Sequence, residues 1–168
     1  MARIYVSAGS NIDRARNIRL GMKKLHAKYA PLTVSSIYES EPVGFEGDCF
    51  FNLVVGFGTG DSPQEVVETL HVIEDQCQRT RDGIRFSART LDLDLLLYDN
   101  RVIEEPGISL PRREILRYAF VLGPLAEIAG ERHHPIERST FARLWAEFDK
   151  SEQRIWIVPY ELGLPKEP

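Results

Sequence analysis

A chain of 168 residues, 43% apolar and 27% charged, is long enough for one folded unit with its own hydrophobic core. Its net charge of −4 offers no global attraction to nucleic acid, so an anion site has to come from local clustering. No run of about 18 apolar residues occurs, and the opening Met1-Ala2-Arg3-Ile4 enters strand-like alternation without a signal core, which points to the cytoplasm and away from a membrane.

Residues 4–8 read as a first strand ending at Gly9-Ser10-Asn11, where Ser10 or Asn11 can cap the helix that follows. Gly9 reads as structural, because the lysine–serine pair of a phosphate loop is missing. Ile18, Met22, Leu25 and Tyr29 share one helical face, and Pro31 ends that helix. Residues 32–38 read as a second strand, followed by a loop with Ser40, Glu41, Pro42, Val43 and Gly44. In a third strand, residues 50–57, Phe51, Leu53, Val55 and Phe57 take one face and Phe50, Asn52 and Val54 the other. Asn52 beside Phe50 can bind a flat heterocycle by hydrogen bonding and stacking, or can simply satisfy a neighbouring backbone group.

Ser62, Pro63 and Glu65 form a strong helix start, a capping box with proline at the first helical position. Val66, Leu70, Ile73 and Cys77 make the buried stripe, and His71, Glu74 and Gln78 lie on an adjoining face. Cys49 and Cys77 give neither metal-ligand spacing nor a disulfide framework, and His133 and His134 sit in a polar turn. Residues 79–88 lack helical or strand period and read as a mobile loop carrying Arg79, Arg81 and Arg85. Beyond residue 99, Arg112-Arg113-Glu114 forms a short turn or helix, Pro124 partly interrupts an apolar stretch, and a helix spans about residues 140–149. Residues 154–158 make a last short strand, and residues 161–168 a loose tail.

The most informative stretch runs from Arg85 through Arg89-Thr90-Leu91-Asp92-Leu93-Asp94-Leu95-Leu96-Leu97-Tyr98. Period two puts Leu91, Leu93, Leu95 and Leu97 on one face and Asp92 and Asp94, continued by Leu96 and Tyr98, on the other. Two neighbouring carboxylates on an apolar strand repel each other and lose solvation unless a cation lies between them. Magnesium suits such a pair, taking one or two carboxylates together with substrate phosphates. Arg79, Arg81, Arg85 and Arg89 bring guanidinium groups that match phosphate oxygens bidentately. The plain alternative is the wet face of an edge strand beside solvated arginines.

The word order of that stretch resembles the signature of the 6-hydroxymethyl-7,8-dihydropterin pyrophosphokinase family, Arg-Trp-Gly-Pro-Arg-Thr-Leu-Asp-Leu-Asp. Further resemblances follow in order along residues 4–130: Gly9-Ser10-Asn11, Ser35-Ser36-Ile37-Tyr38 with Pro42 and Gly44, Phe50-Phe51-Asn52, Ile73-Glu74 with Arg79-Thr80-Arg81, and Phe120-Val121-Leu122-Gly123-Pro124-Leu125. The resemblance implies a ferredoxin-like α+β fold, an antiparallel sheet with helices on one face and a C-terminal helical extension. It implies transfer of pyrophosphate from ATP to the hydroxymethyl group of a reduced pterin in folate biosynthesis, with release of AMP. Asp92 and Asp94 would hold two magnesium ions, Arg79 and Arg89 would stabilise the transferring group, and Arg81 would close over the nucleotide. Glu74, with His71 and Arg112, would meet ATP. Phe50 and Phe120 would sandwich the pterin, while Asn52 and the loop with Ser40 and Val43 read its polar edge. A monomer with no nucleic-acid or membrane partner is implied.

The departures cluster near these contacts. Phe86, Ser87 and Ala88 replace tryptophan, glycine and proline, Arg112 replaces a histidine, and Tyr118 replaces an arginine that Arg117 only adjoins. Glu41 and a one-residue shorter loop before Asn52 alter the pterin side. Two alternatives follow: the same chemistry on a related pterin or heterocyclic alcohol, and a paralogue that binds nucleotide or pterin without turnover.

Overall fold

Alternating side chains give the central sheet two faces of different character, and the candidate site lies on one of them. The computed structural model describes residues 1–42, 47–78 and 90–164. Strand β1 (Ala2–Ser10) pairs antiparallel with β4 (Phe50–Thr59) along its whole length and with β5 (Asp92–Tyr98) on its other side. Beyond β4 come β3 (Ile37–Ser40) and then β8 (Ile155–Val158), while β2 (Thr33–Val34) pairs with β4. The order is β5-β1-β4-β3-β8, every pairing antiparallel. The expected α+β architecture with an antiparallel sheet is present, but helices cover both faces of the sheet rather than one.

Helices α1 (Arg14–Tyr29) and α2 (Pro63–Gln78) cover one face. Ile18, Met22 and Leu25 from α1 and Val66, Leu70 and Cys77 from α2 meet Ile4, Val6, Leu53, Val55 and Phe57 of the sheet. Full burial of each large aliphatic side chain here contributes roughly 1.5–3 kcal/mol. The capping box forms as predicted: Ser62 N–H donates to Glu65 Oε2 at 2.8 Å and Glu65 N–H to Ser62 Oγ at 3.2 Å. On the other face, α4 (Ala119–Ala129) packs Val121, Leu122 and Leu125 against Tyr5, Val54, Leu96 and Leu97. Ile115 of α3 (Glu114–Arg117) and Phe141 of α5 (Phe141–Glu147) complete this second core.

Several local expectations need correction. The period of β5 breaks between its pairings Tyr5↔Leu97 and Val6↔Leu95, where Leu96 is an extra residue. That bulge sends Leu97 to the α4 side and returns Tyr98 to the core beneath α1 and α2. Neither Ser10 nor Asn11 caps α1: the position before the helix is Asp13, in a left-handed conformation with φ 43°. Ser10 Oγ instead donates to Thr90 O at 2.5 Å, tying the chain just ahead of β5. The second strand is split because Ser36 N–H turns away from the sheet to donate to Glu127 Oε2 at 2.8 Å. Helix α4 runs straight through Pro124, whose ring is buried.

A hairpin of β6 (Ile103–Glu105) and β7 (Ile108–Leu110) was not anticipated. Pro106-Gly107 makes its turn, with Gly107 at φ 81°, a conformation glycine adopts without penalty. The tail expected to be loose from residue 161 is held as far as Leu164, since Tyr160, Leu162 and Leu164 pack against the first core. Among the described residues no helix is long and apolar enough to cross a membrane.

Candidate active site

Strand register builds this site. On the α4 face, Asp92, Gly9 and Asn52 stand in one row across β5, β1 and β4, and Asp94, Ser7 and Val54 in the next. Helix α4 covers only part of the face, and the remainder is the floor of a cavity of about 460 Å³. That volume falls within the roughly 300–1,000 Å³ of typical small-molecule sites. Ser7, Gly9, Asn52, Asp92 and Asp94 form the floor, and Ser40, Glu41, Phe50, Glu114, Tyr118 and Phe120 form the walls.

Gly9 is there for space. A Cβ at this position would lie 3.0 Å from Asn52 Oδ1 and 3.9 Å from Phe50 Cδ1. Asn52 is buried, and its Nδ2 donates to Ser40 Oγ at 2.7 Å. This fixes the amide with its oxygen toward Gly9: the partner of Asn52 is a side-chain hydroxyl rather than the expected backbone group, and the residue lies at the cavity floor. Phe120 is stacked on Tyr118 with ring centroids 5.0 Å apart and planes 12° from parallel.

A second, smaller cavity of about 60 Å³ lies on the other side of Asp94. His71, Asp94, Ser109, Leu110 and Arg112 line it, the hairpin supplying the serine and leucine. Arg112 Nη2 lies 3.5 Å from Asp94 Oδ1, and its Nε lies 2.9 Å from Glu114 Oε2 without alignment for a hydrogen bond. Asp94 therefore lines both cavities.

Glu74 comes from α2 to the outer edge of β5, where its Oε2 accepts from Leu93 N–H at 3.0 Å. Burial pushes its carboxyl up to about 7; the Leu93 N–H pulls the other way, and the negative charges of Asp92 and Asp94 add to the rise. Negative charge is thus concentrated around the two aspartates, the setting in which a cation or a cationic ligand gains most.

The family model described as 7,8-dihydro-6-hydroxymethylpterin-pyrophosphokinase (HPPK) matches residues 5–130. The chain belongs to the HPPK family. It is 38% identical over 157 residues to the 2-amino-4-hydroxy-6-hydroxymethyldihydropteridine pyrophosphokinase of Bacillus subtilis, covering 90% of this chain and 89% of that protein. The protein of that name from Pseudomonas aeruginosa is 33% identical over 137 residues, covering 79% and 84%. Among solved structures, the HPPK-DHPS of Plasmodium falciparum matches with a TM-score of 0.69 at 12% identity, over 87% of this chain and 41% of that one. At that identity the likeness speaks for the fold.

Of the residues expected to form the HPPK site, the larger cavity gathers Ser40, Phe50, Asn52, Asp92, Asp94 and Phe120. His71 and Arg112 line the smaller one, and Glu74 is joined to β5 through Leu93. Arg79, Arg81, Arg89 and Val43, with the loop reading of residues 79–88, lie outside the described residues. Sequence reasoning missed Ser7, Gly9 and Glu114 as cavity residues, and it treated Tyr118 only as a departure. For Ser7 and Gly9 a signal existed: they share the β1 face of Tyr5, which a register between β1 and β5 would have set beside the aspartates.

Proposed function

We propose that this protein transfers the pyrophosphoryl group of ATP to the hydroxymethyl group of 6-hydroxymethyl-7,8-dihydropterin, releasing AMP, as a step of folate biosynthesis. The observation that carries the reading is the position of Asp94 between two cavities, one sized for a flat heterocycle and one lined by His71 and Arg112. Membership of the HPPK family and its pyrophosphokinase relatives support the dihydropterin as acceptor and ATP as donor.

The residues fit magnesium. Asp92 and Asp94 offer hard carboxylate oxygens on one face of β5, beside Glu74, whose proton affinity is raised first by burial and further by the negative charge of the two aspartates. Among the described residues no group of three His, Cys, Asp or Glu side chains is placed to hold a metal. Two carboxylates are what a magnesium–ATP site requires, because phosphates and water complete the coordination. When bound, magnesium neutralises charge on the phosphate oxygens.

The chain's own residues do the positioning. Phe50 and Phe120 hold the pterin ring against the floor, with Asn52 and Ser40 at its polar edge. The hydroxymethyl oxygen then approaches the β-phosphorus near Asp94. A bond forms between that oxygen and the β-phosphorus, the hydroxyl proton passes to water, the bond from the β-phosphorus to the α,β-bridging oxygen breaks, and AMP departs with the electron pair. Such transfer depends on alignment and charge stabilisation more than on a protein nucleophile. Arg112, already 3.5 Å from Asp94, is placed to exchange that partner for a phosphate oxygen, and Arg79 and Arg89 carry the developing charge. The 168 residues act as one unit, a cytoplasmic monomer.

The stacking of Tyr118 on Phe120 favours a second reading, in which the acceptor is a related pterin or another heterocyclic alcohol, since one face of Phe120 is taken. One experiment addresses both: AMP release from ATP and magnesium with a panel of pterin alcohols, for wild type and Asp94→Asn. AMP release that depends on the dihydropterin and is lost in the variant supports the first reading. Release with a different acceptor supports the second. Wild-type protein that binds ATP but yields no AMP with any acceptor overturns both.

A further inference from the structure

The two aromatic side chains that wall the larger cavity, Tyr118 and Phe120, flank a weak point of the backbone. Helix α3 ends at Arg117 and α4 begins at Ala119, with Tyr118 extended between them at φ −121° and ψ 125°. A helix that ends leaves carbonyl groups without intrahelical partners, and one that begins leaves amide groups without them. Tyr118 precedes α4 with no side-chain cap, and Ala119 is fully buried, so its N–H has no access to water.

One side chain serves both ends. Gln153 Oε1 accepts from Ala119 N–H at 2.9 Å, and its Nε2 donates to Arg117 C=O at 2.9 Å. The amide reaches across Tyr118 and fixes the residues on either side of it. Gln153 lies 36 residues from Arg117 in sequence and beyond the residues 5–130 matched by the family model. Its segment is seated on α4 at Gly123, where a Cβ would lie 2.9 Å from Ile155 Cδ1 and 3.1 Å from the Trp145 ring. It is also anchored by β8 in the sheet beside β3, which carries Ser40.

From this geometry we infer that Gln153 is a positioning residue for the acceptor pocket, setting the Tyr118–Phe120 wall by capping the α3–α4 junction from the C-terminal segment. The inference rests on reading the larger cavity as the pterin site. A glutamine is well suited to this task, because it alone among the longer neutral side chains carries a donor and an acceptor in one plane. Removing it leaves a buried N–H unsatisfied and frees the wall, while the ATP side, built from α2, β5 and the β6–β7 hairpin, keeps its supports.

The test compares wild type, Gln153→Ala, Gln153→Glu and Thr140→Ala by steady-state AMP release with each substrate varied in turn, and by thermal melting. Thr140 caps α5 by accepting from Arg143 N–H at 3.2 Å, so its loss weakens the same C-terminal segment without touching the junction. Gln153→Ala is expected to raise the pterin KM about tenfold while the ATP KM stays within about twofold. Gln153→Glu keeps the acceptor and loses the donor, so it should fall between the two, and it carries the test if the alanine variant does not fold. Thr140→Ala should lower the melting temperature with both KM values unchanged. A lower melting temperature with an unchanged pterin KM in both Gln153 variants, or an equal rise in both KM values, overturns the inference alone. A wild type without pterin-dependent AMP release overturns the functional reading and the inference with it.

Discussion

Replacement of Gly9 by alanine separates the role of the cavity floor from the stability of the fold. The added Cβ would lie 3.0 Å from Asn52 Oδ1, 3.8 Å from Phe51 O and 3.9 Å from Phe50 Cδ1. Only the first contact is tight, and it is with a side-chain tip that can move by a few tenths of an ångström. Moving it strains the Asn52–Ser40 hydrogen bond of 2.7 Å, a loss of about 0.5–1.5 kcal/mol. Against this, alanine in a strand interior is favoured over glycine by roughly 0.5–1 kcal/mol. The two nearly cancel, so the melting temperature should stay close to wild type. The acceptor ring experiences something different: a methyl group stands on the floor between Asp92 and Asn52, and the amide that reads its edge is displaced. A misfit of this kind should raise the pterin KM by about 10- to 100-fold, equivalent to ~1.4–2.8 kcal/mol, with the ATP KM unaffected. Steady-state AMP release with each substrate varied, beside a thermal melt, measures both. An unchanged pterin KM in a protein of unchanged stability would refute the placement of the pterin on this floor.

Two further outcomes concern stability. Ser62→Ala removes one arm of the capping box of α2 and should lower unfolding free energy by about 1 kcal/mol, read by urea denaturation; an unchanged midpoint would show the cap to be idle. His134 is buried, and its Nδ1 accepts from Ile136 N–H at 3.1 Å and Glu137 N–H at 3.0 Å. Burial lowers its pKa below the usual 6.5, so the folded state keeps it neutral where the unfolded chain takes up a proton. This contribution is complete above 6.5 and is lost as pH falls below it. His134→Asn, which retains an acceptor but does not titrate, should show a shallower fall in melting temperature between about pH 7 and 5. Parallel curves for the two proteins would exclude His134 as a source of acid sensitivity.

What could be read from the chain alone followed the strength of local signals. Leu53, Val55 and Phe57 alternate cleanly with Asn52 and Val54, and Ser62 with Glu65 states a helix start, so β4 and α2 appear where expected. Asp92 and Asp94 were legible as a pair because nothing interrupts the period before Leu96. The bulge itself was hidden, since a run of three leucines reads equally well in either phase. Ser10 has the chemistry of a cap, but a carbonyl eighty residues away, that of Thr90, takes its hydroxyl. The β6–β7 hairpin carried a turn signal in Pro106-Gly107, weakened by the charged residues Glu104 and Glu105 on its short strands. Gln153 had no signal at all, because only tertiary proximity gives a lone glutamine two backbone partners.

The bulge at Leu96 makes the two ends of β5 independent of each other. Upstream, Asp92 and Asp94 take their orientation from Ser7 and Gly9; downstream, Tyr98 takes its own from the helical core and donates its hydroxyl to Asp61 O at 2.6 Å. An uninterrupted strand would couple these two demands, and any shift at the distal turn would rotate the carboxylates out of the cavity. With one extra residue between them, the segment after Tyr98 can follow the helical core while the acids keep their aim. The same irregularity explains how a strand can serve a polar pocket at one end and a greasy helix interface at the other without compromise in either.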